Sequence, residues 1–239
     1  MNNLLNLIKG EIVRLGKYQI VTIGLLTSVI WLIIFALIKQ EEALELAPVF
    51  LFADMAIMSI ILMGASFYLE KQEGTLNSVM MLPVNIGDIL IAKTVASIVM
   101  GLLSAVAVSL GLYFIYGVVL NYLLLLIYVV LTVTASVAVG FVFSLVARDF
   151  NSLLGMLMVY LILFSVAPLL YAFGIIPSEF ENILLISPSY GVMHLMIAVI
   201  NSLAFDLKTI VIIVYQAILA LGLFKFFVYP KFKHNVTRG

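Results

Sequence analysis

The 239-residue sequence has no cysteine. A disulfide framework, a thiolate zinc site and a thiol nucleophile are excluded together. Histidine is nearly absent: only His194 and His234 occur, and two such distant residues make no metal site. Charge is scarce as well. Asp, Glu, Lys and Arg supply 10% of the chain, where an ordinary soluble domain carries about 25%. Hydrophobic residues supply 65%, and the mean hydropathy is +1.27. A soluble fold of this size would have to face water with apolar side chains. An ordinary soluble enzyme, a disordered chain and a nucleic-acid binder are thereby excluded, which leaves an integral membrane protein.

Catalytic and nucleotide-binding signatures are missing too. There is no His-Glu-x-x-His and no plausible Ser/His/Asp set, so an intramembrane protease is disfavoured. A P-loop needs four residues between its glycines and a Ser or Thr after the lysine. Gly10 and Gly16-Lys17-Tyr18 have five residues between the glycines and end in Tyr18. Charge-poor segments leave no room for an ATPase domain.

What is present is a series of long charge-free runs. Crossing a ~30 Å hydrocarbon core takes roughly 20 apolar residues as a helix. The runs predict spans at Ile20–Ile38, Ala47–Leu69 (interrupted by Asp54), Leu153–Phe173 and Thr209–Val228. Thr94–Ala147 is too long for one crossing. It is expected to turn at Gly117–Asn121 into spans at Thr94–Tyr116 and Tyr122–Ala147. These runs are apolar all round, as in Leu123–Leu131, so membrane strands with alternating polarity are disfavoured. The fold class expected is an all-α membrane protein, one transmembrane domain over residues 1–239 with six transmembrane helices. Asn182–Phe205 is uncharged but interrupted at Ser187–Gly191. It reads as two short helices that dip into the membrane or lie on it.

Zero net charge conceals an asymmetry. With six spans both termini share one side, and that side takes ten of the twelve basic residues. Lys71, Lys93 and Arg148 are among them, counted as loop charges. The other side has Lys39 and Lys208 against six acidic residues. Basic loops favour the cytoplasm, so both termini are expected there. The first apolar run is followed by Lys39-Gln40-Glu41-Glu42 rather than a cleavage site, so it reads as a span and not a signal peptide.

Residues 1–19 read as an amphipathic helix. Leu4, Leu5, Ile8, Ile12 and Leu15 form a stripe, and Lys9, Arg14 and Lys17 lie off it toward lipid headgroups. Two readings stand: an anchor alone, or an anchor that also touches a cytoplasmic partner. Between spans two and three, Gly74 ends a helix, Thr75–Leu82 can form a short, partly apolar one, and Pro83 stops it. That segment reads either as an ordinary interfacial loop or as a knob for another protein. Small residues recur every fourth position at Ser97, Gly101, Ala105 and Ser109, and at Thr132, Ser136, Gly140 and Ser144. They suit packing of the three–four hairpin, or a dimer or pathway face. Asp54 is the one acidic residue well inside a span, in either a pathway or a structural role. Its place seven residues after the expected span start puts it toward the outer interface. Trp31, Tyr18, Tyr68, Tyr116 and Tyr122 suit interfacial anchoring, with Trp31 somewhat inside the belt.

Two motifs carry a resemblance. The first is Glu70-Lys71-Gln72-Glu73-Gly74-Thr75, followed by Leu82-Pro83-Val84 and Ala92-Lys93. The second is Pro177, then Ile183–Ile186, then Ser187-Pro188-Ser189-Tyr190, with Ser187 where the family usually has Asn. With the amphipathic start and six spans, the chain resembles the membrane subunit of an ABC exporter of the type-2 permease family.

The resemblance implies a coupling helix in the 70–88 loop that docks on a cytoplasmic ABC ATPase subunit. Glu70, Lys71, Glu73, Gly74, Thr75, Leu76, Val79 and Pro83 would carry it. It implies an extracellular cap over residues 177–203, with Pro177, Ser187, Pro188, Tyr190 and Gly191, and His194 as one of its polar residues. A second permease copy or paralogue would complete a dimer. ATP and magnesium would sit on the partner ATPase, with no cofactor or metal on this chain. The location implied is the cytoplasmic membrane of a prokaryote, amid lipid and without nucleic acid. The cargo expected is hydrophobic or amphipathic, such as a drug or lipid, moved by alternating access. A haem or cytochrome-maturation permease is the nearest alternative. A scaffold or ion-coupled carrier without ATP is the more distant one.

Overall fold

The computed structural model describes residues 2–74, 84–203 and 205–237. Among the described residues all regular structure is helical. The helices are α1 (Asn2–Lys17), α2 (Ile20–Leu37), α3 (Gln40–Gln72), α4 (Ile86–Tyr116), α5 (Tyr122–Val146), α6 (Phe150–Ala172), α7 (Glu181–Leu184), α8 (Pro188–Ile200) and α9 (Leu207–His234). Six of them, α2 to α6 and α9, are long and apolar enough to cross a membrane. One end of the bundle carries α1, the end of α3, the start of α4 and the end of α9. The opposite, far end carries α7 and the α4–α5 turn.

Local chemistry sets the boundaries. The Lys39 backbone N–H donates to Glu42 at 3.0 Å, and Glu41 and Glu42 stand in the first turn of α3, where the helix dipole favours anions. Asn121, Asp149 and Asp206 each accept a backbone N–H at the start of α5, α6 and α9. α4 stops where Gly117 adopts φ +71° and its N–H reaches Tyr113 O at 2.8 Å. The predicted turn is therefore found.

Charge-free counting finds the spans but not their ends. α3 begins at Gln40 rather than Ala47, and α4 at Ile86 rather than Thr94. Gln40–Leu46 and Ile86–Lys93 are charged or polar in part, yet contain good helix formers and no breaker. Each span therefore continues beyond its apolar core.

α5 is the most buried span and α2 and α9 are the least. The outward faces stay apolar, with Leu26, Phe114 and Phe226 exposed, as lipid contact requires. α5 packs on α3 through glycine. A methyl on Gly140 would meet Ile60 O at 2.8 Å and Gly64 N at 3.2 Å, both backbone atoms. Gly101, by contrast, faces Val129 and Val133 of α5 and Met55 of α3. The α4 stripe thus serves the hairpin, while Gly140 of the α5 stripe faces α3.

Gly140→Ala is expected to push α3 and α5 apart and cost about 1–3 kcal/mol. Gly155→Ala, whose methyl would meet nothing within 4 Å, should be neutral. Thermal melting of both variants in one detergent checks this. Equal midpoints would remove the close-approach explanation.

Candidate functional site

At the terminal end four charges converge from three helices. Lys93 of α4 lies with Nζ 2.5 Å from Glu70 Oε2 of α3 and 2.9 Å from Glu11 Oε1 of α1. Arg14 of α1 reaches Glu11 Oε2 at 2.5 Å and pairs with Glu70 Oε1. The Ser66 hydroxyl donates to Glu70 at 3.4 Å. The Lys93 side chain is 1% exposed, and its ammonium lies 5.8 Å from the centre of the Phe67 ring. Two anions and two cations sum to zero. Such a group tolerates burial because each charge has a partner.

Two expectations change here. Lys93, counted as a loop charge, lies about two turns inside α4. Arg14, expected to face headgroups, turns toward the bundle. In both cases buried carboxylates draw the cation inward, while Ile12 and Leu5 of the expected apolar stripe remain exposed.

Above the cluster a cleft opens between α1, α2, α3 and α4. It is narrow, with about 70 Å³ of space open to a water-sized sphere, and it is open at its mouth. Ile23, Met58, Leu62 and Met100 line it, with Ser97 and Ser104 on α4. At its head stands Asp54, buried in a π-helical turn of α3 over Ala53–Met58. Trp31 Nε1 donates to Asp54 Oδ2 at 3.2 Å, and the Ser104 hydroxyl donates to the same oxygen. Ser59 Oγ donates to the Asp54 backbone carbonyl at 3.2 Å, using the widened turn.

Asp54 stands further along its helix than the apolar run alone indicates. With α3 beginning at Gln40, it sits roughly 21 Å along the helix at ~1.5 Å per residue. Trp31, expected as an interfacial anchor somewhat inside the belt, takes part in packing as well. It stacks on Phe50 at 4.0 Å inside the bundle and fixes Asp54. Tyr116 ties the end of α4 to the end of α2, donating to Phe35 O and to Ile38 O.

The second motif forms two short helices at the far end. Pro177 precedes a short 3-10 turn (Ser178–Phe180) and α7. The break falls at Ile186–Ser187. Pro188, Tyr190 and Gly191 lie inside α8, not in the break as expected, because proline at the first helical position suits a helix start. Ser187 caps α8, accepting the Tyr190 N–H at 3.3 Å, and donates to Phe164 O at 2.7 Å. Pro168 of α6 has no N–H to offer that carbonyl, which lies four residues earlier. Ser187 therefore satisfies a group that lipid could not. The Ser189 hydroxyl meets Tyr160 OH at 3.2 Å and Ser165 Oγ at 3.1 Å.

α8 is buried on nearly all sides. A methyl on Gly191 would lie 2.4 Å from Gln216 Nε2 of α9, which itself donates to Pro188 O at 2.6 Å. Glu181 accepts from Tyr190 OH and pairs with Lys208. His194 meets Thr209 Oγ1 at 3.3 Å.

Of the residues expected in the loop after span two, Glu70 is buried while Lys71 and Glu73 are exposed, and Gly74 ends the helix with φ +70°. Thr75, Leu76, Val79 and Pro83 lie outside the described residues. Sequence reasoning missed Glu11, Arg14, Trp31 and Ser104 as partners. The available signals were Glu11 and Arg14 on one helix face, and Lys93 beside a charge-free run.

The sequence pattern of the ABC-2 type transporter family matches residues 3–201, which take in α1, five of the six spans, and α8. The chain belongs to the ABC-2 type transporter family. It is a multi-pass membrane permease, the transport component of an ABC transporter rather than an enzyme. No curated protein matches this permease.

Removing Lys93 takes a buried cation from between Glu11 and Glu70 and leaves the quartet one negative charge in excess. Lys93→Met is expected to destabilise the permease by about 3 kcal/mol. Adding Glu70→Gln restores neutrality and should recover part of the loss. Thermal melting of the single and double variants measures it, and a double variant no more stable than the single would reject the charge-balance account.

Acid should loosen the far end. Burial works to raise the Glu181 carboxyl, but hydrogen bonds from Lys208, Tyr190 and Tyr171 outweigh it and hold the group below its usual 4.5. A depressed carboxylate stabilises fully above the unfolded value, and the contribution is lost as pH falls through the folded one. Limited proteolysis between Gly174 and Ser187 should therefore speed up below about pH 4.5. Glu181→Gln should flatten that step, and an unchanged profile would count against it.

Proposed function

We propose that the permease is half of an ATP-driven exporter for a hydrophobic or amphipathic cargo. Both termini face the cytoplasm, following the excess of Lys and Arg on that side. The ATPase is a separate chain that carries ATP and magnesium. It docks on the 70–88 loop, with Lys71, Glu73, Gly74, Thr75, Leu76, Val79 and Pro83 at or near the contact and Glu70 bracing them from behind. A second permease, identical or paralogous, completes the transporter. Pro177–Leu203 caps the outward exit.

The observation that carries this reading is the ion cluster. Glu70 opens the loop, Lys93 follows it, and Glu11 of α1 pairs with Lys93 while Arg14 pairs with Glu70. A push on the loop is thereby delivered to α1, α3 and α4 as one unit. Alternating access follows when closure of the ATPase pair displaces both loops and reopens the bundle on the other side.

The test is co-purification. A permease lacking Glu73–Val79 should enter the membrane at the usual level and no longer capture a co-expressed ABC ATPase. Undiminished capture would overturn the docking assignment.

A further inference from the structure

We infer that Asp54 and the cleft between it and the ion cluster form a binding site for a lipophilic monocation, such as a hydrophobic amine or quaternary ammonium. Four observations converge on it. First, the formal charges lining the cleft are Glu11, Arg14, Lys93 and Asp54. The first three, with Glu70 behind them, form a neutral quartet, so Asp54 alone gives the cleft its sign. Second, both side-chain donors that reach Asp54 converge on Oδ2. Among the described residues no hydrogen bond reaches Oδ1, which leaves one carboxylate oxygen for a ligand.

Third, the walls between the two charged ends are apolar. Ile23, Met58, Leu62 and Met100 face the space, and methionine adapts to bodies of varied shape. Lys93 and Ser104 stand about 16 Å apart along α4, which sets the length of the apolar stretch between the two charged ends. Fourth, Asp54 sits in a π-helical turn, an arrangement frequent at functional sites. A carboxylate held by Trp31 and Ser104 at the head of an apolar cleft attracts a cation whose body is itself apolar. A neutral lipid would leave the carboxylate unpaired, and an anion would be repelled by it.

The inference deepens the exporter reading by naming a cargo class. Calling the ligand cargo rests on that reading, whereas binding does not. The test uses the full permease in phosphatidylcholine nanodiscs, with radiolabelled tetraphenylphosphonium as probe. Tetraphenylborate, of the same shape and opposite charge, is the control. The phosphonium should bind saturably and the borate should not. Asp54→Asn keeps an acceptor for Trp31 and Ser104 but removes the charge, and should weaken phosphonium binding about ten-fold or more.

Ser97→Phe fills the cleft midway along α4 and leaves the carboxylate intact. It should abolish binding as well, and it serves if Asp54→Asn is not recovered folded. Unchanged binding in either folded variant overturns the proposal. So does borate binding as tightly as the phosphonium, or no saturable phosphonium binding at all. ATPase capture by Asp54→Asn should equal that of the unaltered permease. No saturable phosphonium binding by the unaltered permease, with ATPase capture intact, thus sinks this proposal alone, and saturable binding without capture sinks the exporter reading alone.

Discussion

A lysine ammonium with almost no exposed surface can stay charged inside an apolar helix only if anions lie against it. Lys93 obtains two, and they come from different helices. Glu11 is brought from 82 residues away and Glu70 from 23. That requirement fixes much of the terminal end. α1 must lie along the starts of α2 and α4. The last turns of α3 must present Glu70 inward, and Arg14 must follow to balance the second carboxylate. The end of α3 and the start of α4 are therefore held together at one braced point.

The far end rests on a different economy of bonds. There the need is for hydrogen-bond partners rather than counter-charges. Pro168 withholds a donor from Phe164 O, and Ser187 supplies one. Ser189, Tyr160 and Ser165 satisfy each other within the bundle, and Gln216 closes on Pro188 O. At the start of α8, Ser187 caps the Tyr190 N–H and Gln216 of α9 donates to Pro188 O, so that end is buried with its polar groups met.

The number and order of the spans were legible because apolar runs of crossing length are hard to mistake. Their ends were not, since Gln40–Leu46 and Ile86–Lys93 continue the helices with residues that resemble loop. Asp54 stood out by its rarity, yet its place along the helix was misjudged because α3 starts earlier than the apolar run does. The partners Trp31 and Ser104 lie 23 and 50 residues from it, and no local spacing reports such pairs. The break near Ser187 was visible from Pro188. That Ser187 answers a carbonyl freed by Pro168 depends on two helices meeting, which composition does not encode. Small-residue periodicity marked the right faces of α4 and α5 but not which neighbour each glycine would meet.

The π-helical turn at Ala53–Met58 holds one residue more than an α-helical turn would. An α-helix advances about 100° per residue, so the faces before and after that turn are offset by about that angle. α3 uses the offset. Its first half packs on α8, and its second half packs on α5 through Gly64. One continuous helix thereby serves two neighbours that a regular helix of the same sequence would not present to the same stripe. The turn acts as a change of phase within a single rod, and Asp54 stands where the phase changes.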